Sequence, residues 1–218
     1  MDTKNVKILI VGGGIGGFAL AAYLQRHGFS PVLIEKCNEW KTIGYMISLF
    51  PSGMRILEDL GVAHMLKQDG KKLSKFVLRD NNGKLIWSKS FSEIENRFGP
   101  VTEVERELLH TMVREAARGV SVRLNTTIER IDQKPEGVLV MFNDGKEEQF
   151  DLVVGADGIH SGMRRYVRTR ISSEYSGCTF WLMWLPYPKV DFSPDNMEIY
   201  FCNGKAGLES ILRNIEIF

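Results

Sequence analysis

Three glycines, spaced Gly12-x-Gly14-x-x-Gly17, stand where an apolar β-branched run ends and a helical pattern begins. Each has a physical task. The first permits a tight turn, the second lets the backbone approach a pyrophosphate with no Cβ in the way, and the third allows close packing of helix on strand. A diphosphate would lie at the helix N-terminus, where unpaired N–H groups and the helix dipole favour negative charge. Glu35 ends the next apolar strand, 18 residues after Gly17. A carboxylate there can accept hydrogen bonds from adenosine ribose hydroxyls, and it repels a 2′-phosphate, which disfavours NADP in this pocket. Alone, the glycines could be a flexible turn and Glu35 a solvated strand-end charge. Together they read as a dinucleotide-binding unit, with NAD and FAD both open.

A second segment runs from Asp151 through Val154, Ala156, Asp157 and Gly158 to Ser161 and Arg164. It reads as a buried strand from Leu152 to Ala156, an Asp-Gly turn, and a helix from about Ser161 to Arg168 that Ser161 can cap. Other reactive side chains form no constellation. His27, His64, His110 and His160 are separated with no metal-spaced pair, and read as structural or surface histidines. Ser161 has no glycine-flanked nucleophile elbow. Phe180, Trp181, Trp184 and Tyr187 read as core before they read as a pocket.

The elements that must position these residues follow from periodicity. Val6 to Val11 is a continuous apolar run expected of a strand buried on both faces of a parallel sheet. Ile15, Phe18, Ala19, Ala22 and Tyr23 recur at helical intervals until Gly28, and Val32 to Ile34 is a second buried strand, completing a βαβ unit. Pro51 to Leu60 reads as a short helix. Asp80-Asn81-Asn82-Gly83 and Asn143-Asp144-Gly145 read as hairpin turns, the first between Phe76–Leu78 and Leu85–Trp87, the second between Val138–Phe142 and Glu147–Phe150. Glu103 to Arg118 reads as a helix with Val104, Leu108, Met112 and Val113 on one face. Val122 to Leu124 and Ile128 to Ile131 read as strands, and the chain from Gly177 onward as aromatic and strand-like, through Tyr200 and Phe201.

The totals bound the function classes. At 218 residues the chain holds one large domain or two small ones, and 44% hydrophobic with 25% charged residues is ordinary for a globular protein. A formal net charge of +1 gives no reason to expect nucleic acid or an anionic membrane as partner. Cys37, Cys178 and Cys202 are unclustered and read as free thiols in a reducing compartment. Lys4 and Lys7 precede the first apolar run, but glycines stop it and no cleavage site follows, so the expected location is the cytoplasm.

The order of these motifs resembles the flavoprotein aromatic hydroxylases, the single-component FAD-dependent monooxygenases of the para-hydroxybenzoate hydroxylase type. The resemblance rests on the glycine fingerprint, Arg106 within Glu105-Arg106-Glu107-Leu108, and the Gly155-Ala156-Asp157-Gly158 segment. Gly44 to Leu49 followed by Pro51-Ser52-Gly53 also resembles the family's loop near the flavin, with Met46 where many members have a second glycine. The resemblance implies an α/β fold: a Rossmann-type FAD-binding βαβ layer with an interleaved β-rich substrate region. Residues 1–72 and 101–170 would form the FAD-binding domain, 73–100 a β-hairpin segment of the substrate region, and 171–218 the start of the β-rich substrate domain.

It further implies FAD as cofactor, NAD(P)H as co-substrate, and an aromatic or other electron-rich small molecule hydroxylated with O2. Gly12, Gly14 and Gly17 would hold the pyrophosphate and Glu35 the adenosine ribose, with Gly13, Ile15, Gly16 and Lys36 also in the cofactor-binding set. Ile47 would lie in the loop beside the flavin, and Arg106 would contact the phosphate and ribityl region. Asp157 and Gly158 would sit by the groove, with Arg164 bracing that segment. No catalytic acid or base is assigned, because the difficult chemistry would belong to the cofactor. The family's third flavin motif, a Gly-Asp dipeptide, has no counterpart here, so the resemblance implies either a fragment or a natural shortened form whose flavin pocket is open on one side. Three alternatives stay open: another FAD oxidoreductase such as a reductase or halogenase, a flavin-binding remnant without catalysis, and an NAD-dependent dehydrogenase.

Overall fold

A computed structural model describes residues 6–40, 44–66, 70–167, 174–175, 177, 195–202 and 205–209. Cys178, Phe180, Trp181, Trp184, Tyr187 and Arg168 lie outside the described residues. The chain divides into two compact units, Met1–Thr42 with His110–Phe180, and Ile43–Leu109 with Trp181–Phe218. In chain order, β1 (Ile8–Val11), α1 (Ile15–Arg26) and β2 (Val32–Ile34) belong to the first unit. The second holds β3 (Met46–Leu49), α2 (Pro51–Asp59), β4 (Lys71–Lys72), β5 (Lys75–Asp80), β6 (Leu85–Ser90), α3 (Ser92–Phe98) and β7 (Thr102–Glu105). Helix α4 (Arg106–Ala116) starts in the second unit and ends in the first. Next come β8 (Ser121–Arg123), β9 (Ile128–Lys134), β10 (Gly137–Phe142), β11 (Glu147–Phe150), β12 (Leu152–Gly155) and α5 (Arg164–Val167) in the first unit, then β13 (Asn196–Cys202) and β14 (Lys205–Glu209) in the second.

The first unit is built on a parallel sheet of order β12-β1-β2-β8. Ile8, Leu9 and Ile10 are all buried, as a strand covered on both faces requires. Leu9 and Ile34 pack with Val140, Phe142 and Phe150 of the antiparallel meander β9-β10-β11, which therefore covers one face. Alternation places Ile8 and Ile10 on the other. Each such side chain contributes about 1.5–3 kcal/mol by leaving water. On α1 the buried residues are Gly17, Phe18, Ala21 and Ala22, whereas Tyr23 is 44% exposed and stacks on His27, so the sequence placed Tyr23 on the wrong face. The strand from Leu152 is likewise not doubly buried: β12 is the edge of this sheet among the described residues, and Leu152 is 49% exposed.

In the second unit, β5 and β6 form the expected hairpin, with Gly83 at φ +79° and Asp80 Oδ1 accepting the N–H groups of Asn82 and Lys84. β13 pairs parallel to β5, giving the order β14-β13-β5-β6. A second sheet has the order β3-β7-β4. Glu103 and Val104 lie in β7, not in a helix; Val104 pairs with Ile47 of β3, and the helix begins at Arg106. The spacing of Val104 to Leu108 and Met112 satisfies a helix by accident, because burial of Val104 comes from cross-strand pairing. Leu73, Phe91 and Val101 form one core cluster of this unit, with Phe76, Ile94 and Met197 packed against them.

Glu198 on β13 is 5% exposed and holds a charge, so it must be compensated. Arg79 Nε donates to its Oε2 at 2.7 Å and Tyr200 Oη at 3.0 Å. The Arg79 bond, ahead of the opposing effect of burial, keeps this carboxyl below the usual carboxylate range. Arg79→Met would leave the carboxylate with neutral donors alone, and loss of the charged partner in this half-buried pair costs about 1–3 kcal/mol. A depressed carboxyl pKa stabilises above the unfolded value and loses that contribution as pH falls through the folded one. The destabilisation by Arg79→Met should therefore be large in urea denaturation at pH 7 and shrink toward pH 4. Equal losses at both values would disprove the pairing.

Candidate functional site

The glycine turn closes β1 and opens α1. Gly12 sits at φ +112°, where L side chains are strained, and a Cβ on it would come within 2.5 Å of the Ala156 carbonyl oxygen. Its N–H donates to Ile34 O at 2.8 Å, and Ala156 N–H donates to Val11 O at 2.7 Å. The turn after β1 and the turn after β12 are thus in backbone contact. A Cβ on Gly17 would fall on the Gly12 carbonyl, the close helix–strand approach expected of the third glycine. Gly14 differs. It precedes α1 with extended backbone, φ −75° and ψ −179°, and a Cβ there would meet nothing within 4 Å. Gly16 is open in the same way.

Gly13 is held on both sides. Its N–H donates to Glu35 Oε2 at 2.7 Å, and its carbonyl accepts from His110 Nε2 at 2.7 Å. A Cβ on it would strike the Trp40 ring at 2.6 Å. Trp40 meets Phe18 and His110 with ring centroids 5.1 and 5.6 Å away, and the Arg114 guanidinium lies 4.9 Å over its face. His110 itself is 5% exposed. The sequence set His110 aside as structural or surface. It is buried and structural, but its partner is the dinucleotide turn, which no local pattern could reveal.

Glu35 accepts a further N–H from Cys37 at 3.0 Å. Burial alone would push its carboxyl up, but the N–H groups of Cys37 and Gly13 outweigh it and hold the group below the usual range. It stays ionised near neutrality, and two bonds leave part of its acceptor capacity for ribose hydroxyls. Lys36 is exposed beside it, at a cavity of about 410 Å³ lined by Lys36, Cys37, Asn38, Glu39 and Asn125. Asn125 is in the left-handed region at φ +51°, its N–H donating to Cys37 O at 3.0 Å.

Asp157 organises the loop after β12. Its Oδ1 accepts from Ser161 Oγ at 2.6 Å and its Oδ2 from Met163 N–H at 3.1 Å. Ser161 is therefore not the helix cap expected from sequence; its hydroxyl goes to Asp157, which itself bonds the N–H just ahead of α5. That helix starts at Arg164, three residues later than expected. Gly158 follows at φ +81° with open space around it. Arg164 does brace the segment, donating to Ile159 O at 2.5 Å.

In the second unit, Arg106 is the first residue of α4, partly buried; its N–H donates to Tyr45 O at 2.9 Å and its guanidinium lies 5.7 Å from the Tyr45 ring. Ile47 is partly buried on β3 opposite Val104.

Residues 5–207 match the family model described as "FAD binding domain". The chain belongs to the FAD-binding domain family. FAD accordingly is its cofactor, and the first turn suits that ligand on its own geometry. Helix α1 has no side-chain cap and no acidic residue in its first turn, so its N–H groups are left for an anion, and Gly14 leaves the space a diphosphate needs. The family relatives include the FAD-dependent monooxygenase pynG of Aspergillus niger, 34% identical over 175 residues, covering 78% of this chain and 40% of that protein. The solved PqsL of P. aeruginosa in complex with 2-aminobenzoylacetate is 30% identical with a TM-score of 0.68, covering 78% of this chain and 47% of that one. A single-substitution variant of Klebsiella pneumoniae HpxO complexed with FAD shares the fold, with a TM-score of 0.74 at 22% identity, covering 96% and 55%. The chain spans about half or less of the length of each of these relatives.

Proposed function

We propose that the protein to which this chain belongs is an FAD-dependent monooxygenase that hydroxylates an aromatic or other electron-rich small molecule with NAD(P)H and O2. The carrying observation is the open, uncapped start of α1, with Gly13 tied between Glu35 and His110, in a family whose relatives include FAD-dependent monooxygenases. Bound FAD supplies the redox chemistry with NAD(P)H and O2. The chain's residues do the rest. The N–H groups at the start of α1 neutralise the diphosphate, Glu35 accepts from the ribose, and Asp157 fixes the loop that follows β12. Arg106 contributes a cation toward the cofactor's phosphate and ribityl region.

The partners in this reading are a small molecule and O2, with neither nucleic acid nor membrane. Among the described residues no helix is long and apolar enough to cross a bilayer. A cytoplasmic setting goes with the three unclustered cysteines.

An absorbance spectrum of the chain titrated with FAD tests binding, and oxygen uptake coupled to substrate-stimulated NAD(P)H oxidation by the whole protein tests the reaction. A chain that shows no flavin bands after excess FAD is removed by desalting overturns the first. Substrate turnover without oxygen uptake overturns the second and favours a reductase. Asp157→Ala should release FAD at least tenfold faster, on the ~1–3 kcal/mol scale of lost hydrogen bonds, while Arg106→Ala should weaken FAD with little change in melting. Unchanged flavin content in both variants removes these two assignments.

A further inference from the structure

His110 joins two features that the cofactor reading does not by itself connect. It sits on α4, 97 positions from the glycine turn in sequence, yet its Nε2 is 2.7 Å from the Gly13 carbonyl. A carbonyl can only accept, so this nitrogen carries the proton. The ring has little freedom to leave. It is 5% exposed and meets Phe18 and Trp40 with centroids 5.5 and 5.6 Å away.

The consequence follows from peptide geometry. In a trans peptide the C=O and the N–H point in opposite directions. The carbonyl of Gly13 and the N–H of Gly14 belong to one peptide plane. Drawing the carbonyl toward His110 therefore turns the Gly14 N–H away from the protein interior. Glu35 fixes the preceding plane by its bond to the Gly13 N–H. Between them the two side chains set both peptides of the turn before any ligand arrives.

We propose that His110 is a positioning residue for FAD: by holding the Gly13 carbonyl it aims the Gly14 amide at the diphosphate. The proposal rests on FAD binding in this turn and goes beyond it by assigning a role to a residue that acts through the Gly13 carbonyl. Glycine at position 13 makes the need concrete, since an untethered glycine peptide can flip at little steric cost.

The test compares His110→Gln with His110→Met in the whole chain. The two side chains have the same length and differ in the amide donor. FAD dissociation constants come from quenching of flavin fluorescence, and ADP and adenosine are then competed against FAD. His110→Met should weaken FAD and ADP about tenfold, the worth of one aligned hydrogen bond, and leave adenosine within about twofold. His110→Gln should recover most of the loss. A merely structural role would weaken adenosine as much as ADP, and that result overturns the proposal, as does equal behaviour of the two variants. The wild-type chain provides a check that does not depend on variants folding. The 15N resonance of His110 Nε2 should be that of a protonated nitrogen, and the Gly14 amide should shift on adding FAD. A bare Nε2 or an unmoved Gly14 amide overturns the proposal. Wild-type chain that binds no FAD at all would instead remove the cofactor reading together with this one.

Discussion

Alanine in place of Gly14 is expected to leave the ligand-free chain folded while weakening FAD about a hundredfold. Its backbone conformation is one that alanine adopts freely, and a methyl there meets nothing within 4 Å, so the fold has no reason to object. The methyl would occupy the space that a diphosphate must enter, and forcing a group into a filled contact costs about 1–3 kcal/mol. Gly17→Ala should behave in the opposite way. Its methyl would land on the Gly12 carbonyl, backbone against backbone with no rotamer to relieve it, so thermal unfolding should drop first and binding should fail as a result. Gly16→Ala is the control, with open space and a helical position, and should melt no lower than the parent. Melting curves and FAD titrations of the three variants separate these outcomes. Unchanged FAD affinity in Gly14→Ala would place the diphosphate elsewhere.

The second large effect is expected at Glu35. Glu35→Ala removes the acceptor for the Gly13 and Cys37 N–H groups together with the ribose contact. Hydrogen bonds to a charged acceptor are worth about 1.5–3 kcal/mol each, so FAD affinity should fall by about two orders of magnitude. Stability should fall too, in a pH-dependent way. Burial raises this carboxyl and the two N–H groups more than reverse it, leaving it below the usual carboxylate range. Such a group stabilises the fold above its unfolded pKa, and the benefit disappears as pH falls through the folded one. The stability gap between parent and Glu35→Ala should therefore be full at pH 7 and close on acidification below about pH 4. A gap independent of pH would show that the carboxylate is not the acceptor.

Which parts of this architecture were legible follows from where the determining contacts lie. β1 and β2 were readable because burial on both faces leaves an uninterrupted apolar run, and both hairpins because Gly83 and Gly145 announce a turn locally. Gly12 and Gly17 announced their tight turn and close packing for the same reason. Failures came where distant partners decide. Val104 looked helical by spacing, yet its neighbour is Ile47, more than fifty positions earlier. Helix α3 went unseen because Ser92–Phe98 is mostly polar with no buried residue. The strand β3 is hidden in a segment whose sequence resembles a loop, since Met46–Leu49 is half-buried throughout. His110 carried no signal of its own, because its partner is a backbone carbonyl. Ser161 was misread as a cap, since Asp157 four residues earlier competes for its hydroxyl.

The contact of Gly12 with Ala156 has an evolutionary corollary. Where two loops meet through main-chain atoms, neither side can be rebuilt alone, because no side-chain swap on one can make room for a bulkier neighbour on the other. Residues 12, 17, 156 and 157 should consequently change only as a linked set, and a designer wishing to retune the flavin's grip would have to rebuild both loops together.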